Sequence, residues 1–177
     1  MAIMWRTLPF AVMTATDYHR LSQLRQAVFI VEEACCYQDA DDFDTVSAHL
    51  LAETETQSDN ALIACCRLLP PGTRFAEPSI GRVCTDPRWR RQGLGREMME
   101  RALAQLQHDY PQQPVRISAQ CYLQDFYNDL GFAAASGLYQ EDGIAHIEML
   151  YTPNGLNRAS LQRSEQRSGR TTQARTP

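Results

Sequence analysis

The sequence predicts an α/β (α+β) fold, a single domain built on a mixed, largely antiparallel sheet flanked by helices. Three observations carry this prediction. Apolar runs alternate with turn-forming residues in the first half, a glycine-bearing turn leads from a strand-like run into an amphipathic helix, and two more strand-like runs end the pattern. The 177 residues, 44% hydrophobic and 21% charged, suffice for one well-packed core. We place the domain at residues 1–152 and a tail at residues 153–177.

The elements of the first half follow from hydrophobic period and turn chemistry. The run "IMWRTLPF" is strand-like, and Thr16 is the predicted cap of the helix that follows it. The apolar face of that helix consists of Leu21, Leu24, Val28 and Val31. The acidic stretch "CCYQDADDFD" has no period and predicts a loop. The runs "HLLAETE" and "ALIACCRLL" flank "QSDN", which predicts an antiparallel hairpin.

The second half contains two helices between strands. "SIGRVCT" predicts a strand, and the helix after it has the apolar stripe Leu94, Met98, Ala102 and Leu106. Glu97 and Arg101 are four residues apart on the surface of this helix, which "YPQQP" ends. "VRISA" is a strand, "YLQDFYNDL" is a short helix ended by Gly131, and "FAAASGLYQ" and "IAHIEMLY" form a hairpin around "EDG".

Charge is unevenly distributed along the chain. All 17 basic residues are arginine, and 12 of them lie before residue 153 together with 20 of the 21 acids. An acidic domain argues against a nucleic-acid surface. The tail is rich in Arg, Ser, Thr, Gln and Gly, cannot bury a core, and is predicted to be a disordered basic tail. No apolar run of roughly 18 residues and no signal-peptide pattern is found, so we expect no membrane partner and a cytoplasmic location.

The six cysteines do not predict a metal site. Cys35 and Cys36 are directly adjacent, as are Cys65 and Cys66, and neighbouring residues do not easily present two thiolates to one tetrahedral metal. The regular spacing of zinc-binding cysteines is missing. We therefore expect no metal and interpret the cysteines as small buried apolar side chains.

The turn at Gly93 and Gly95 predicts a phosphate site. A short strand, a glycine turn and a helix start together expose backbone N–H groups at the positive end of the helix dipole. Arg90, Arg91 and Arg96 add positive charge beside this turn. The chain has no lysine, which excludes the P-loop signature, and Met98 stands where a dinucleotide motif requires its third glycine.

Two motifs in this order resemble the GCN5-related N-acetyltransferases (GNAT). "VCTDPRWRRQGLGREMM" is similar to that family's acetyl-CoA-binding segment, with its pattern [R/Q]-x-x-G-x-[G/A]. About 30 residues later, "LQDFYNDLGF" is similar to the family's short helix ending in F-Y-x-x-x-G-F. "LRQAVFIVEEACCYQDAD" and "YQEDGIAHIEM" look like the ElaA-like subgroup, so that the resemblance covers roughly residues 4–151. Cys36 departs from the proline expected in that subgroup.

The resemblance implies a fold and a set of cofactor-binding residues. It implies a GNAT-like sheet in which a central pair of parallel strands is splayed, so that one backbone is free to bind the pantetheine arm of acetyl-CoA. Val83, Cys84 and Thr85 would lie along that arm. The pyrophosphate would lie on the helix start, at Arg90, Arg91, Gln92, Gly93, Leu94, Gly95 and Arg96.

The resemblance also implies direct attack of a primary amine on a thioester. This reaction needs a neutral amine, a polarised carbonyl and a stabilised leaving thiolate. Tyr127 is the family-matched residue for the thiolate. In "AHIEML" the alternation places His146 opposite Ile147 and Met149, facing either solvent or the acceptor, which makes it a candidate base. The other candidates for the base are Glu32, Glu33, Asp41, Asp42, Asp44 and His49.

Alternative functions stay open at this point. The fold could bind acetyl-CoA without turnover, as a sensor or interaction module. It could also act like an acyl-homoserine-lactone synthase, an alternative suggested by "RQAVFIVEE" followed by "DADDFD". The acceptor is a small molecule or a peptide amine. The acidic loop from Asp39 to Asp44 would attract a cationic amine, although such a loop is more often simply solvated. The resemblance also leaves a homodimer open.

Overall fold

The computed structural model describes residues 2–54 and 61–153, and this part of the chain forms one seven-stranded sheet. The strand order is β1-β2-β3-β4-β5-β7-β6. Only the β4–β5 pair is parallel among the described strands, which confirms the predicted mixed, largely antiparallel sheet. The strands are β1 (Ile3–Pro9), β2 (Ala48–Thr54), β3 (Ala61–Leu69), β4 (Ser79–Thr85), β5 (Val115–Gln120), β6 (Phe132–Glu141) and β7 (Ile144–Tyr151).

Helices cover both faces of the sheet. Helix α1 (Ala15–Arg25) continues into a π-helical segment, Gln26–Glu32, and packs on one face, here called the α1 face. Helices α2 (Leu94–Asp109) and α3 (Gln124–Asn128) pack on the opposite α2 face. The predicted stripe of α2 is confirmed, since its four residues are buried: Leu94, Met98, Ala102 and Leu106.

The beginning and end of the first helix differ from the sequence prediction. The cap is Thr14 instead of Thr16, because Asp17 stands three residues after Thr14 and completes a capping box with it. Val31 is 77% exposed, whereas Leu21, Leu24 and Val28 are buried as predicted. The π-helical segment contains more residues per turn than an α-helix, so it rotates Val31 away from the apolar face.

Several predictions fall partly or wholly outside the described residues. The "QSDN" turn lies at residues 57–60, and residues 154–177 of the predicted tail are likewise outside the description.

Of the cysteines, Cys36 is exposed and Cys121 half-buried, whereas the other four are buried. In residues 2–54 and 61–153, no helix has the length and apolar character needed to cross a bilayer. No group of metal-binding side chains occurs in those same residues.

Candidate active site

A cavity of about 810 Å³ opens where β4 and β5 separate. The parallel pairing of these strands is limited to Ser79 opposite Arg116, near the start of both strands. Beyond this pair the strands diverge, and side chains from both sheet faces line the resulting space. The implied splayed strand pair is therefore present, and it creates a passage from one face of the sheet to the other.

A bulge in β4 turns its backbone toward this cavity. The β3–β4 register shifts between Cys65 and Arg67, and the described pairings assign no partner to Arg82 or Val83. Arg82 adopts a left-handed conformation with φ 51°, which is uncommon for a residue with a side chain. The bulge thus leaves Arg82 and Val83 outside the strand pairing at the cavity wall, which Val83, Cys84 and Thr85 also line; their contact with a pantetheine arm stays a prediction.

Buried ion pairs on the α1 face connect this bulge to the loop after the first helix. The guanidinium of Arg82 contacts Asp39 and Asp41, and it lies 5.3 Å from the ring centroid of Tyr37. Arg25 binds Asp39 and Asp44, and Arg67 binds Asp41 and Asp44. Burial alone would raise the pKa of Asp44, but the two arginines outweigh burial and hold that pKa below its usual value.

The acidic loop is consequently not the cation-attracting surface that the sequence suggested. Asp39 and Asp44 are buried, and arginines of α1, β3 and β4 neutralise them. Sequence reasoning missed these pairs because the partner arginines come from distant segments of the chain. The loop fastens the first helix to the central strands instead of attracting a charged acceptor.

The glycine turn has the geometry of an anion cradle. Gly93 has φ 81° and directly precedes the first residue of α2, and Arg91 is also left-handed at φ 61°. A Cβ built on Gly95 would meet nothing closer than Thr85 Oγ1 at 3.9 Å, so the space above this residue is open. The first N–H groups of α2 have no intrahelical partners and border the cavity, which fits the predicted phosphate site.

The polar side chains of this turn differ in how they are engaged. Arg90 donates to Glu32 and to the carbonyl of Thr85, and Arg96 lies 3.5 Å from Asp129. Arg91 is exposed and has no hydrogen-bond or ion-pair partner within the described part of the chain. Gln92 donates to the Arg88 carbonyl and stands outside the cavity lining. Arg91 is therefore the arginine whose charge is most available to a phosphate.

Tyr127 lies on the α2 face of the cavity, at the centre of an aromatic cluster. Its ring centroid is 5.1 Å from that of Phe126 and 5.9 Å from that of Phe132. The residue is buried, and burial raises the pKa of its phenol well above the usual value. The hydroxyl therefore stays protonated near neutral pH and can donate a hydrogen bond.

His146 borders the same cavity from the α1 face. Its neighbours in the sheet are Gln120 on β5 and Tyr139 on β6, and the Tyr139 ring lies 6.0 Å away at an interplanar angle of 31°. The Nδ1 atom is 2.9 Å from the carbonyl oxygen of Ile144. Because a carbonyl can only accept, Nδ1 carries a proton, and a neutral ring has its lone pair on Nε2. The predicted alternation is confirmed, since Ile147 and Met149 are buried on the opposite face.

The other candidates for the base differ in whether they are paired within the protein and whether they border the cavity. Asp41 and Asp44 are paired with arginines, Glu32 is paired with Arg90, and His49 is fully buried, with Nε2 3.2 Å from the Asp44 carbonyl. Asp42 is exposed and outside the cavity lining. Glu33 borders the cavity and receives a hydrogen bond from Gln120 at 3.1 Å.

Two polar residues of β5 were missed at the sequence level. Ser118 and Gln120 alternate with the buried Ile117 and Ala119, so they face the α1 side of the cavity. Ser118 donates to Glu141, which also binds Arg74. The same alternation in "VRISAQ" was the signal that could have identified them, because period 2 places these side chains on one polar face.

Comparison with known proteins establishes the family. Residues 32–153 match the family model described as an acetyltransferase (GNAT) domain. The chain belongs to the GNAT acetyltransferase family. A UPF0039 protein of Synechocystis is 39% identical over 157 residues, which are 88% of this chain and 100% of the relative. The protein ElaA of Escherichia coli is 35% identical over 149 residues, covering 83% of this chain and 95% of ElaA.

Two solved structures are similar to this chain over most of its length. An acyl-CoA N-acyltransferase from Pseudomonas aeruginosa superposes with a TM-score of 0.79 at 38% identity, covering 85% of this chain and 100% of the other. The crystal structure of ElaA gives a TM-score of 0.77 at 34% identity, with 85% and 99% coverage. The GNAT domain and the ElaA-like subgroup are thereby confirmed, and the family supports an acyl-CoA-dependent acyltransferase activity.

Proposed function

We propose that this protein transfers an acetyl group from acetyl-CoA to a primary amine, by direct attack of the amine on the thioester. One observation carries the proposal. A single cavity connects the glycine turn and Tyr127 on the α2 face with His146 on the α1 face. Donor and acceptor can therefore enter from opposite faces and meet in the split, which makes a covalent enzyme intermediate unnecessary.

The residues around the split fit acetyl-CoA. The open space above Gly95 admits a phosphate to the helix N-terminus, with Arg91 available as a counter-charge. The unpaired bulge at Arg82 and Val83 offers backbone groups to the pantetheine amides. When bound, acetyl-CoA supplies an activated acyl group as a thioester. The chain contributes binding, alignment, a base for the amine and a hydrogen-bond donor for the departing sulfur.

His146 serves as the base in this proposal. Its Nδ1–H is held by the Ile144 carbonyl, so that Nε2 can accept a proton from the acceptor amine directly or through one water molecule. Tyr127 assists the departing sulfur. Its raised pKa makes it a weaker acid than a thiol, whose usual pKa is about 8.5, so hydrogen-bond donation is the favoured role over full proton transfer.

A thiol-release assay tests the function. Purified protein is incubated with acetyl-CoA and a panel of primary amines, with a blank that lacks an amine, and free CoA thiol is recorded over time. We expect amine-dependent release together with an acetylated product of matching mass. Binding of acetyl-CoA without release for any amine in a broad panel of small molecules and peptide N-termini would favour the non-catalytic module. Release that requires S-adenosylmethionine as acceptor would favour the lactone synthase.

The remaining expectations belong to this proposal as well. The acidic domain and its cavity suit a small-molecule or peptide amine as partner, without nucleic acid, membrane or metal. We expect a cytoplasmic location, where the protein would have access to acetyl-CoA. The proposal leaves a homodimer open, and the molecular mass in solution measures it directly.

A further inference from the structure

Three glutamates line the cavity and differ in their partners. Glu32 accepts from Arg90 at 2.7 Å, and Glu141 accepts from Arg74 at 2.9 Å. The carboxylate of Glu33 accepts a hydrogen bond from the neutral side-chain amide of Gln120 at 3.1 Å. Two of these three glutamates are therefore paired with arginines, whereas no cationic side chain in the described part of the chain lies within ion-pair distance of the Glu33 carboxylate.

The position of Glu33 separates it from the solvated acids of the surface. It directly follows the π-helical segment and is half-buried, and the loss of hydration raises the pKa of its carboxyl group. A carboxylate that has lost water without gaining a cation is stabilised when a ligand supplies one. Arg90 and His146 act on Glu33 only at longer range, and their effect is smaller than that of burial, so a cation in direct contact would stabilise the carboxylate further.

Glu33 also lies next to the proposed base. Gln120 donates to Glu33 and is directly opposite His146 in the β5–β7 register. Residues directly opposite in antiparallel strands have Cβ atoms about 5 Å apart. Glu33, Gln120 and His146 therefore form a continuous polar wall on the α1 face of the split. An acceptor that presents one amine to His146 can reach Glu33 with a second group only a few bonds away.

We propose that Glu33 binds a second positive charge on the acceptor, so that the preferred substrates are short aliphatic diamines or amines with a comparable cationic group. This inference rests on the proposed function. The ammonium group donates charge-assisted hydrogen bonds to Glu33, and the other amine, in its neutral form, faces Nε2 of His146. Gln120 orients the carboxylate. The acidic loop is not the cation site, because its buried acids already have arginine partners.

A matched acceptor series tests this assignment. Steady-state rates with acetyl-CoA are measured for 1,4-diaminobutane, butylamine and 4-aminobutyrate, which differ in the charge at the far end. We expect the diamine to have the highest kcat/KM and the amino acid the lowest. In the Glu33→Gln variant, the ratio of kcat/KM for the diamine to that for butylamine should fall by about tenfold, mainly through KM.

The control is Glu100→Gln, which removes the same charge from an exposed position on α2. It should retain the wild-type ratio. An unchanged ratio in Glu33→Gln, or a uniform fall in kcat for all acceptors, would overturn the assignment while leaving the acetyltransferase function standing.

A binding experiment covers the case in which no amine is turned over. Calorimetric titration of the CoA-saturated protein with 1,4-diaminobutane should show binding that Glu33→Gln weakens by about tenfold. Equal binding by both proteins, or no binding to either, rejects the cation site. Absence of turnover with every amine rejects the proposed function separately, so the two failures are distinguishable.

Discussion

Arg82, the left-handed residue of the β4 bulge, places its Nε atom 2.9 Å from Oδ1 of Asp39. This contact joins the strand that lines the cavity to the loop after the first helix. The Arg82 side chain is only 16% exposed. We expect Arg82→Gln to lower the free energy of unfolding by about 1–3 kcal/mol. The loss is smaller than for an unpaired buried charge, because Asp39 still pairs with Arg25 and Asp41 still pairs with Arg67. Urea denaturation measures this change.

The control for this variant is Arg88→Gln. Arg88 pairs with Asp86 at 2.6 Å, but its side chain is 81% exposed, so its removal should leave the urea midpoint close to that of the wild type. Equal urea midpoints for the two variants would show that the bulge does not depend on the buried ion pairs.

Substitutions at the two glycines of the turn should have different effects, one on stability and the other on acetyl-CoA binding. Gly93→Ala forces a side chain into a left-handed conformation and should cost about 1–2 kcal/mol of stability. Gly95→Leu has room for its Cβ and should stay folded, but its side chain would fill the phosphate position and weaken acetyl-CoA binding by at least about tenfold, or 1.4 kcal/mol. Thermal melts measure the change in stability, and calorimetric titration measures the change in acetyl-CoA affinity.

The control is Gly137→Ala, in open space on β6, which should change neither stability nor affinity. Undiminished affinity in folded Gly95→Leu would reject the phosphate site.

Tyr127→Phe should lower kcat and kcat/KM together. The variant keeps the ring packing against Phe126 and Phe132 but loses a hydrogen bond that strengthens as the carbon–sulfur bond breaks. A loss on the order of 10²-fold is expected, with acetyl-CoA affinity unchanged. Tyr18→Phe, whose ring packs on Phe10 at the other side of the molecule, serves as the control. Full turnover in Tyr127→Phe would leave Tyr127 as a packing residue only.

His146→Gln should impair catalysis in a pH-dependent manner. Without the imidazole, the acceptor amine loses its proton only to solvent, so kcat/KM at neutral pH should fall by roughly 10²-fold. The deficit should shrink at alkaline pH, where more of the amine is already neutral. Rate profiles from pH 6 to 10 measure this recovery. A deficit that stays constant across that range would indicate that His146 only positions the acceptor.

Asp17 should make the first helix sensitive to acid. Burial by itself raises its pKa, but hydrogen bonds from Thr14 and Arg6 outweigh burial and lower the pKa from 3.8 to about 2. Since the folded-state pKa lies below the unfolded value, this stabilisation is complete above about pH 4 and is lost as the pH falls toward 2. The Tm deficit of Asp17→Asn relative to wild type should therefore be largest near pH 6 and shrink toward pH 2. A deficit independent of pH would contradict the assignment.

Local sequence patterns were sufficient for most of the fold and for part of the cavity lining. The apolar stripe of α2, the hairpins and the Gly93–Gly95 turn each depend on neighbours within a few residues, so period and turn chemistry predicted them. Tyr127 came from the family resemblance of "LQDFYNDLGF" and not from period, whereas the alternation in β7 correctly separated His146 from the buried Ile147.

Tertiary structure decided how the charges are partnered. Asp39, Asp41 and Asp44 look like a solvated acidic loop in the sequence, yet arginines from three other segments neutralise them. Glu32 and Glu33 are adjacent and identical in type, but Arg90, 58 residues beyond Glu32, pairs with the first and leaves the second facing the cavity. Sequence spacing carries no information on such long-range pairs. Which carboxylate is neutralised, and which is left for a ligand, depends on where the folded strands and loops meet.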